Sequence, residues 1–61
     1  MPEVTVRILE GCTEEQKKAL VAKVTAAISE TTVSAEEDVV IFIEEVSPNH
    51  YAVGGRRLSD R

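Results

Sequence analysis

Five consecutive apolar residues, Val39-Val40-Ile41-Phe42-Ile43, limit what this chain can become. Side chains in a strand alternate between two faces. An unbroken apolar run therefore asks for cover on both faces, as in parallel sheets. The chain has 61 residues, with Phe42 and Tyr51 as its only aromatics and no Trp. A domain this small buries only about 60% of its unfolded surface. Small scaffolds make up the deficit with disulfides, metals or oligomerisation. The single cysteine, Cys12, excludes an intrachain disulfide. One histidine and one cysteine fall short of the four N/S ligands of a closed zinc site. Oligomerisation is the remedy left, and paired sheets across a symmetric dimer would close the exposed edges.

The rest of the chain supplies the run's partners. Val4 to Leu9 reads as a strand, with Val4, Val6 and Ile8 alternating against Glu3, Thr5 and Arg7. Glu10-Gly11 ends it. Thr13 is a helix N-cap with Gln16 three residues on, a capping box. Glu14 and Glu15 favour the positive end of the helix dipole. The helix is predicted from Thr13 to Thr31 or Thr32. Leu20, Val24 and Ile28, flanked by Ala27 and Thr31, form an apolar stripe. Ala19, Ala22 and Ala26 form a smaller face. Glu15, Lys17, Lys18, Lys23 and Glu30 are expected outside.

Thr32 to Asp38 is a polar connection, with a further turn over Ser34-Ala35-Glu36-Glu37 capped by Ser34. The apolar run follows as the second strand, and Glu44-Glu45-Val46 is expected to leave the sheet. Ser47-Pro48-Asn49 is a turn, His50 to Val53 is extended, Gly54-Gly55 turns again, and Arg56 to Arg61 is a polar tail. Strand, helix, strand at this spacing is a βαβ unit with parallel strands and a right-handed crossover. The fold class is α+β, in one domain over residues 1–61.

The charge balance narrows the function. Net charge is −4, which argues against a nucleic-acid binder needing a basic face. No run reaches the roughly 18 apolar residues of a membrane span. Hydrophobic content of 43% is too high for a disordered chain. No secretory leader pattern is present, and the expected location is the cytoplasm.

Pro2 is the first candidate for chemistry. Loss of Met1 would leave a secondary amine at the start of a strand. Desolvation and nearby cations favour the neutral form of an amine, and a neutral amine can move protons at neutral pH. Cys12, ahead of a helix N-terminus, is a candidate nucleophile. His50 is a candidate general acid, set against an interface or surface role. Glu36-Glu37-Asp38 and Glu44-Glu45 lack the spacing of a metal loop and read as solvated faces. Gly54-Gly55 lacks the context of a phosphate cradle.

Pro2, the strand Val4-Thr5-Val6-Arg7-Ile8-Leu9-Glu10-Gly11 and Thr13-Glu14-Glu15-Gln16-Lys17 resemble the start of the 4-oxalocrotonate tautomerase family. Val40-Ile41-Phe42-Ile43-Glu44-Glu45 and Asn49-His50-Tyr51-Ala52-Val53-Gly54-Gly55 resemble its second strand and C-terminal hairpin. Arg57-Leu58-Ser59-Asp60 is similar to the tail of short bacterial members. The resemblance covers almost the whole chain. It implies a tautomerase fold in which two βαβ subunits share a four-stranded sheet backed by two helices. Three such dimers would form a homohexamer. It also implies a cofactor-independent isomerase, without metal, acting on a small enol or keto acid such as 2-hydroxymuconate or phenylenolpyruvate. The amino-terminal proline would be general base and then acid.

Residue by residue, the resemblance assigns Pro2 as the catalytic proline. Leu9 becomes a strand-end residue by the pocket and Tyr51 an aromatic wall. Two substrate-holding arginines of the family are replaced, one by Cys12 after the Glu10-Gly11 turn and one by Val40 at the start of the second strand. Each lost charge-assisted contact would cost roughly 1.5–3 kcal/mol. A smaller monoacid or neutral carbonyl substrate is one consequence. Substitution by other arginines is another, with Arg7 and Arg57 the leading candidates beside Arg56 and Arg61. The alternative is a weakly active or non-catalytic structural subunit of a mixed hexamer.

Overall fold

The computed structural model describes residues 2–61. Two parallel strands, β1 (Glu3–Leu9) and β2 (Val40–Val46), flank the helix α1 (Glu14–Thr31). The strands pair in one unbroken register from Glu3↔Val40 to Leu9↔Val46. The Val40 amide donates to the Pro2 carbonyl at 3.0 Å, and the Glu10 amide donates to the Val46 carbonyl at 2.9 Å. Those two bonds close the ladder at its ends.

Alternation sorts the side chains. Val4, Val6 and Ile8 pair with Ile41, Ile43 and Glu45 on the face toward α1. Thr5, Arg7 and Leu9 pair with Phe42, Glu44 and Val46 on the opposite face. Strand β2 thus continues three residues past Ile43, where the sequence suggested an exit. Both glutamates find cations that hold them in the sheet. Glu44 accepts from Nε of Arg7 at 3.0 Å, directly across the register. Glu45 accepts from Nζ of Lys17 at 2.8 Å.

The start of α1 is fixed by its own sequence. The Gln16 amide donates to Thr13 Oγ1 at 3.1 Å, and the Thr13 amide donates to Gln16 Oε1 at 2.9 Å. Both halves of the capping box are present. At the other end, the hydroxyls of Thr31 and Thr32 donate to the carbonyls of Ala27 and Ile28, both at 2.7 Å. Such local bonding competes with continued helix.

The packed face is Leu20, Val21, Val24 and Ile28, while Ala27 and Thr31 are exposed. Lys17 belongs to this face and not to the outside, because it lies one turn before Leu20 and Val21. Its side chain is only 19% exposed and lies between Glu45 and Glu14, at 2.8 and 3.0 Å. The hydrogen bond to Glu45, and then the one to Glu14, raise the pKa of the Lys17 ammonium above its ordinary value, against an opposing effect of partial desolvation.

A short 3₁₀ turn, Glu36–Asp38, leads into β2. It begins after Ala35 without a side-chain cap, so Ser34 does not cap it. The Ser34 amide instead donates to Thr32 Oγ1 at 3.2 Å. After β2, Ser47 caps a second 3₁₀ turn, Pro48–His50. Then β3 (Ala52–Val53) and β4 (Arg56–Arg57) form an antiparallel hairpin. Gly54 and Gly55 turn it with φ of 61° and 83°, the successive left-handed pair that suits a two-residue hairpin loop. The expected polar tail is therefore structured. Arg57 forks onto Asp60 through Nε at 2.9 Å and Nη2 at 3.2 Å, and the Leu58 amide donates to the Tyr51 carbonyl at 2.8 Å.

None of the described residues is fully buried. The protomer measures 43 × 25 × 14 Å, with a radius of gyration of 14.6 Å. A compact chain of this length would have about 10.5 Å. Its accessible surface is 4701 Å², against about 3,900 Å² for a folded monomer of this mass. The centre of the open sheet face is left uncovered among the described residues, with Phe42 there 52% exposed. The cover that the apolar run demands is met by α1 on one side only.

Candidate functional site

The alternation of β1 leaves Arg7 and Leu9 on the open face. The parallel register sets Val46 beside Leu9. The turn at Pro48–His50 then folds the chain back, bringing His50, Tyr51 and Ala52 opposite them. A groove of about 360 Å³ forms between the two, large enough for a small organic acid. Its lining is mostly apolar, through Ile8, Leu9, Val46 and Ala52. The polar groups are Arg7, His50 and Tyr51.

Four of the residues singled out in the sequence thus meet in one groove: Arg7, Leu9, His50 and Tyr51. Pro2 does not join them within the protomer. It sits at the start of β1, half-buried, with its carbonyl bonded to the Val40 amide. Leu9 lies seven residue steps along the strand from it, about 23 Å at the usual rise. Loss of Met1, on which the chemistry of the Pro2 nitrogen depends, lies outside the described residues.

The arginines differ in how far they are committed. Arg57 spends Nε and Nη2 on Asp60 and does not line the groove. Arg7 spends only Nε, on Glu44. Among the described residues, neither Arg56 nor Arg61 has an ion-pair partner. Cys12 is exposed between the Gly11 turn and the N-cap of α1, and Val40 opens β2 beside Pro2. His50 stands in the groove wall and not on a remote surface. Val46 and Ala52 were not singled out in the sequence. The register of the two strands, readable only once β2 is seen to run past Glu45, is the signal that would have placed Val46. Among the described residues no three metal-ligating side chains cluster. No helix is long and apolar enough to cross a membrane.

Comparison with known proteins follows the same outline. The family model described as "Tautomerase enzyme" matches residues 2–61. A probable tautomerase of Bacillus cereus is 72% identical over 61 residues, covering 100% of both chains. The 2-hydroxymuconate tautomerase of Bacillus subtilis is 62% identical over 60 residues, covering 98% of this chain and 97% of its own. Among solved structures, YwhB, a homologue of 4-oxalocrotonate tautomerase, superposes with a TM-score of 0.95 at 60% identity, covering 98% of each chain. A heterohexamer 4-oxalocrotonate tautomerase from Chloroflexus aurantiacus gives 0.91 at 32% identity, covering 98% of this chain and 97% of that one.

Proposed function

The chain belongs to the tautomerase family, whose members are isomerases, and from that premise we propose that it is a cofactor-independent tautomerase of small enol and keto acids with Pro2 as the proton carrier. The amine of Pro2, once Met1 is removed, takes the enol hydroxyl proton. The oxygen becomes a carbonyl as the conjugated double bonds shift, and the prolinium returns the proton to carbon. The amine is regenerated and no electrons are gained or lost overall.

The observation that carries this reading is the placement of Pro2. The bond to Val40 fixes its carbonyl at the start of a rigid strand. That leaves the nitrogen at the leading end of β1 as the group to be presented. The groove that would receive substrate lies at the other end of the same strand. A complete site therefore takes Pro2 from one protomer and Leu9 and Tyr51 from another. The uncovered sheet face and the large accessible surface support such an assembly. A homohexamer built as a trimer of dimers is its proposed form; the Chloroflexus relative is also a hexamer, though a heterohexamer.

The substrate class follows from the departures at Cys12 and Val40. Without arginines there, a dicarboxylate such as 2-hydroxymuconate is held less well than a monoacid such as phenylenolpyruvate. The test is proton transfer on both compounds, with Pro2→Ala alongside and the intact mass measured to establish loss of Met1. Faster turnover of the monoacid, and its collapse in Pro2→Ala, are expected. Equal rates in wild type and Pro2→Ala would overturn the reading.

The same two departures favour a second reading, a structural subunit of a mixed hexamer whose partner brings the arginines. Absence of turnover alone, restored on adding a related arginine-bearing subunit, distinguishes it from the first.

A further inference from the structure

We propose that the ion pair of Arg7 and Glu44 selects the charge of the substrate, with Arg7 anchoring a single carboxylate and Glu44 disfavouring a second one. The proposal rests on the reading of the groove as a substrate site. It goes further in naming the anchor and the cause of monoacid preference.

Three observations carry it. First, Arg7 is the only lysine or arginine among the groove residues. Second, its single bond to Glu44 runs through Nε, at 3.0 Å. Among the described residues, both Nη groups are without a hydrogen-bond partner. A guanidinium held by Nε keeps an Nη pair for a carboxylate. Arg57, by contrast, has already given a fork to Asp60. Third, Arg7 and Glu44 are direct partners in the parallel register, on the same face of the sheet as Leu9 and Val46. The backbone therefore fixes their spacing.

The electrostatics then follow. One arriving carboxylate meets the Nη groups of Arg7, while the apolar body of the ligand lies along Leu9 and Val46. A second carboxylate finds no further lysine or arginine in the groove. It meets the field of Glu44, and like charges repel. The pair as a whole is neutral, so the groove favours monoanions over dianions.

Two inert probes test this without any proton transfer. These are 3-phenylpropanoate, a monoacid, and adipate, a diacid, each titrated into the full-length wild-type assembly and followed by calorimetry. Tighter binding of 3-phenylpropanoate is expected. Arg7→Gln is expected to weaken it about tenfold, the lower end for a charge-assisted bond at an exposed site. Binding of its neutral methyl ester should stay within twofold. Arg7→Lys, which keeps the charge and loses the fork, should fall between. Glu44→Gln keeps an acceptor for Nε and removes the charge, so adipate should bind several-fold more tightly. Unchanged 3-phenylpropanoate binding in Arg7→Gln would overturn the proposal. So would an equal loss for acid and ester, because Arg7 would then shape the groove and not read charge. The chemistry of Pro2 is read separately, by turnover of phenylenolpyruvate in the wild type and in Pro2→Ala, while the anchor is read by binding in the Arg7 and Glu44 variants. Failure of the anchor is thereby separable from failure of the proline chemistry.

Discussion

The carbonyl of Pro2 accepts the amide of Val40 at 3.0 Å, so the residue proposed as the proton carrier is fastened to the first rung of the sheet. Its carbonyl is held by backbone pairing. A change of side chain at position 2 should leave the ladder intact while altering the amine. Pro2→Ala is expected to lower kcat about a hundredfold, in the range of positioned acid–base groups. A form that retains Met1 should be inactive, because the nitrogen is then an amide. Turnover of phenylenolpyruvate, with intact mass to separate the two forms, checks both.

Cys12 is exposed, and an added side chain there has room. Cys12→Arg would restore a cation where the resemblance to 4-oxalocrotonate tautomerases leads one to expect it. One recovered charge-assisted contact is worth about 1.5–3 kcal/mol. The ratio of kcat/KM for 2-hydroxymuconate to that for phenylenolpyruvate should therefore rise about tenfold or more. An unchanged ratio would show that position 12 does not face the substrate.

Lys17 bridges the first turn of α1 to the end of β2 through Glu45. Its pKa is raised in the folded chain, first by that bond. A raised lysine stabilises the fold fully below its unfolded pKa of about 10.4 and loses that contribution as pH climbs through the higher folded value. Lys17→Met should therefore lower the unfolding midpoint at neutral pH. The difference from wild type should shrink only in strongly alkaline solution. Thermal melts across pH, at fixed protein concentration, report it.

Phe42 stands in the middle of the open sheet face, half-exposed in the protomer. Covering such a side chain contributes about 1.5–3 kcal/mol per copy. Phe42→Asp should dissociate the assembly, and the separated chains should lose helicity, because none of the described residues is fully buried in the protomer alone. Sedimentation and circular dichroism measure the two effects. A stable, helical monomer would contradict the expectation.

The sequence was most informative where local chemistry decides. Thr13 and Gln16 form both bonds of the capping box because each needs only the other and the adjacent backbone. The turn at Gly54-Gly55 was readable for the same reason. Glu44 and Glu45 misled because a charge pair reads as the end of a strand. Their partners, Arg7 and Lys17, come from 37 and 28 residues away. Lysine usually points outward, yet Lys17 falls one turn before Leu20 on the packed face. The candidate site divides along the same line. Leu9 and Tyr51 were found through resemblance, and the structure draws them into one groove with Arg7. That Pro2 and Leu9 lie at opposite ends of one strand was legible, but not which copy's groove Pro2 faces, because spacing along the chain carries no information about that.

That separation along β1 has a genetic consequence under the proposed assembly. A chain lacking the proline and a chain lacking the groove would each be inactive alone. Co-assembled, they would form some junctions at which a sound proline meets a sound groove, and turnover would return in part. The unit on which selection acts is then the junction between copies, so a damaged allele can be rescued by a differently damaged one.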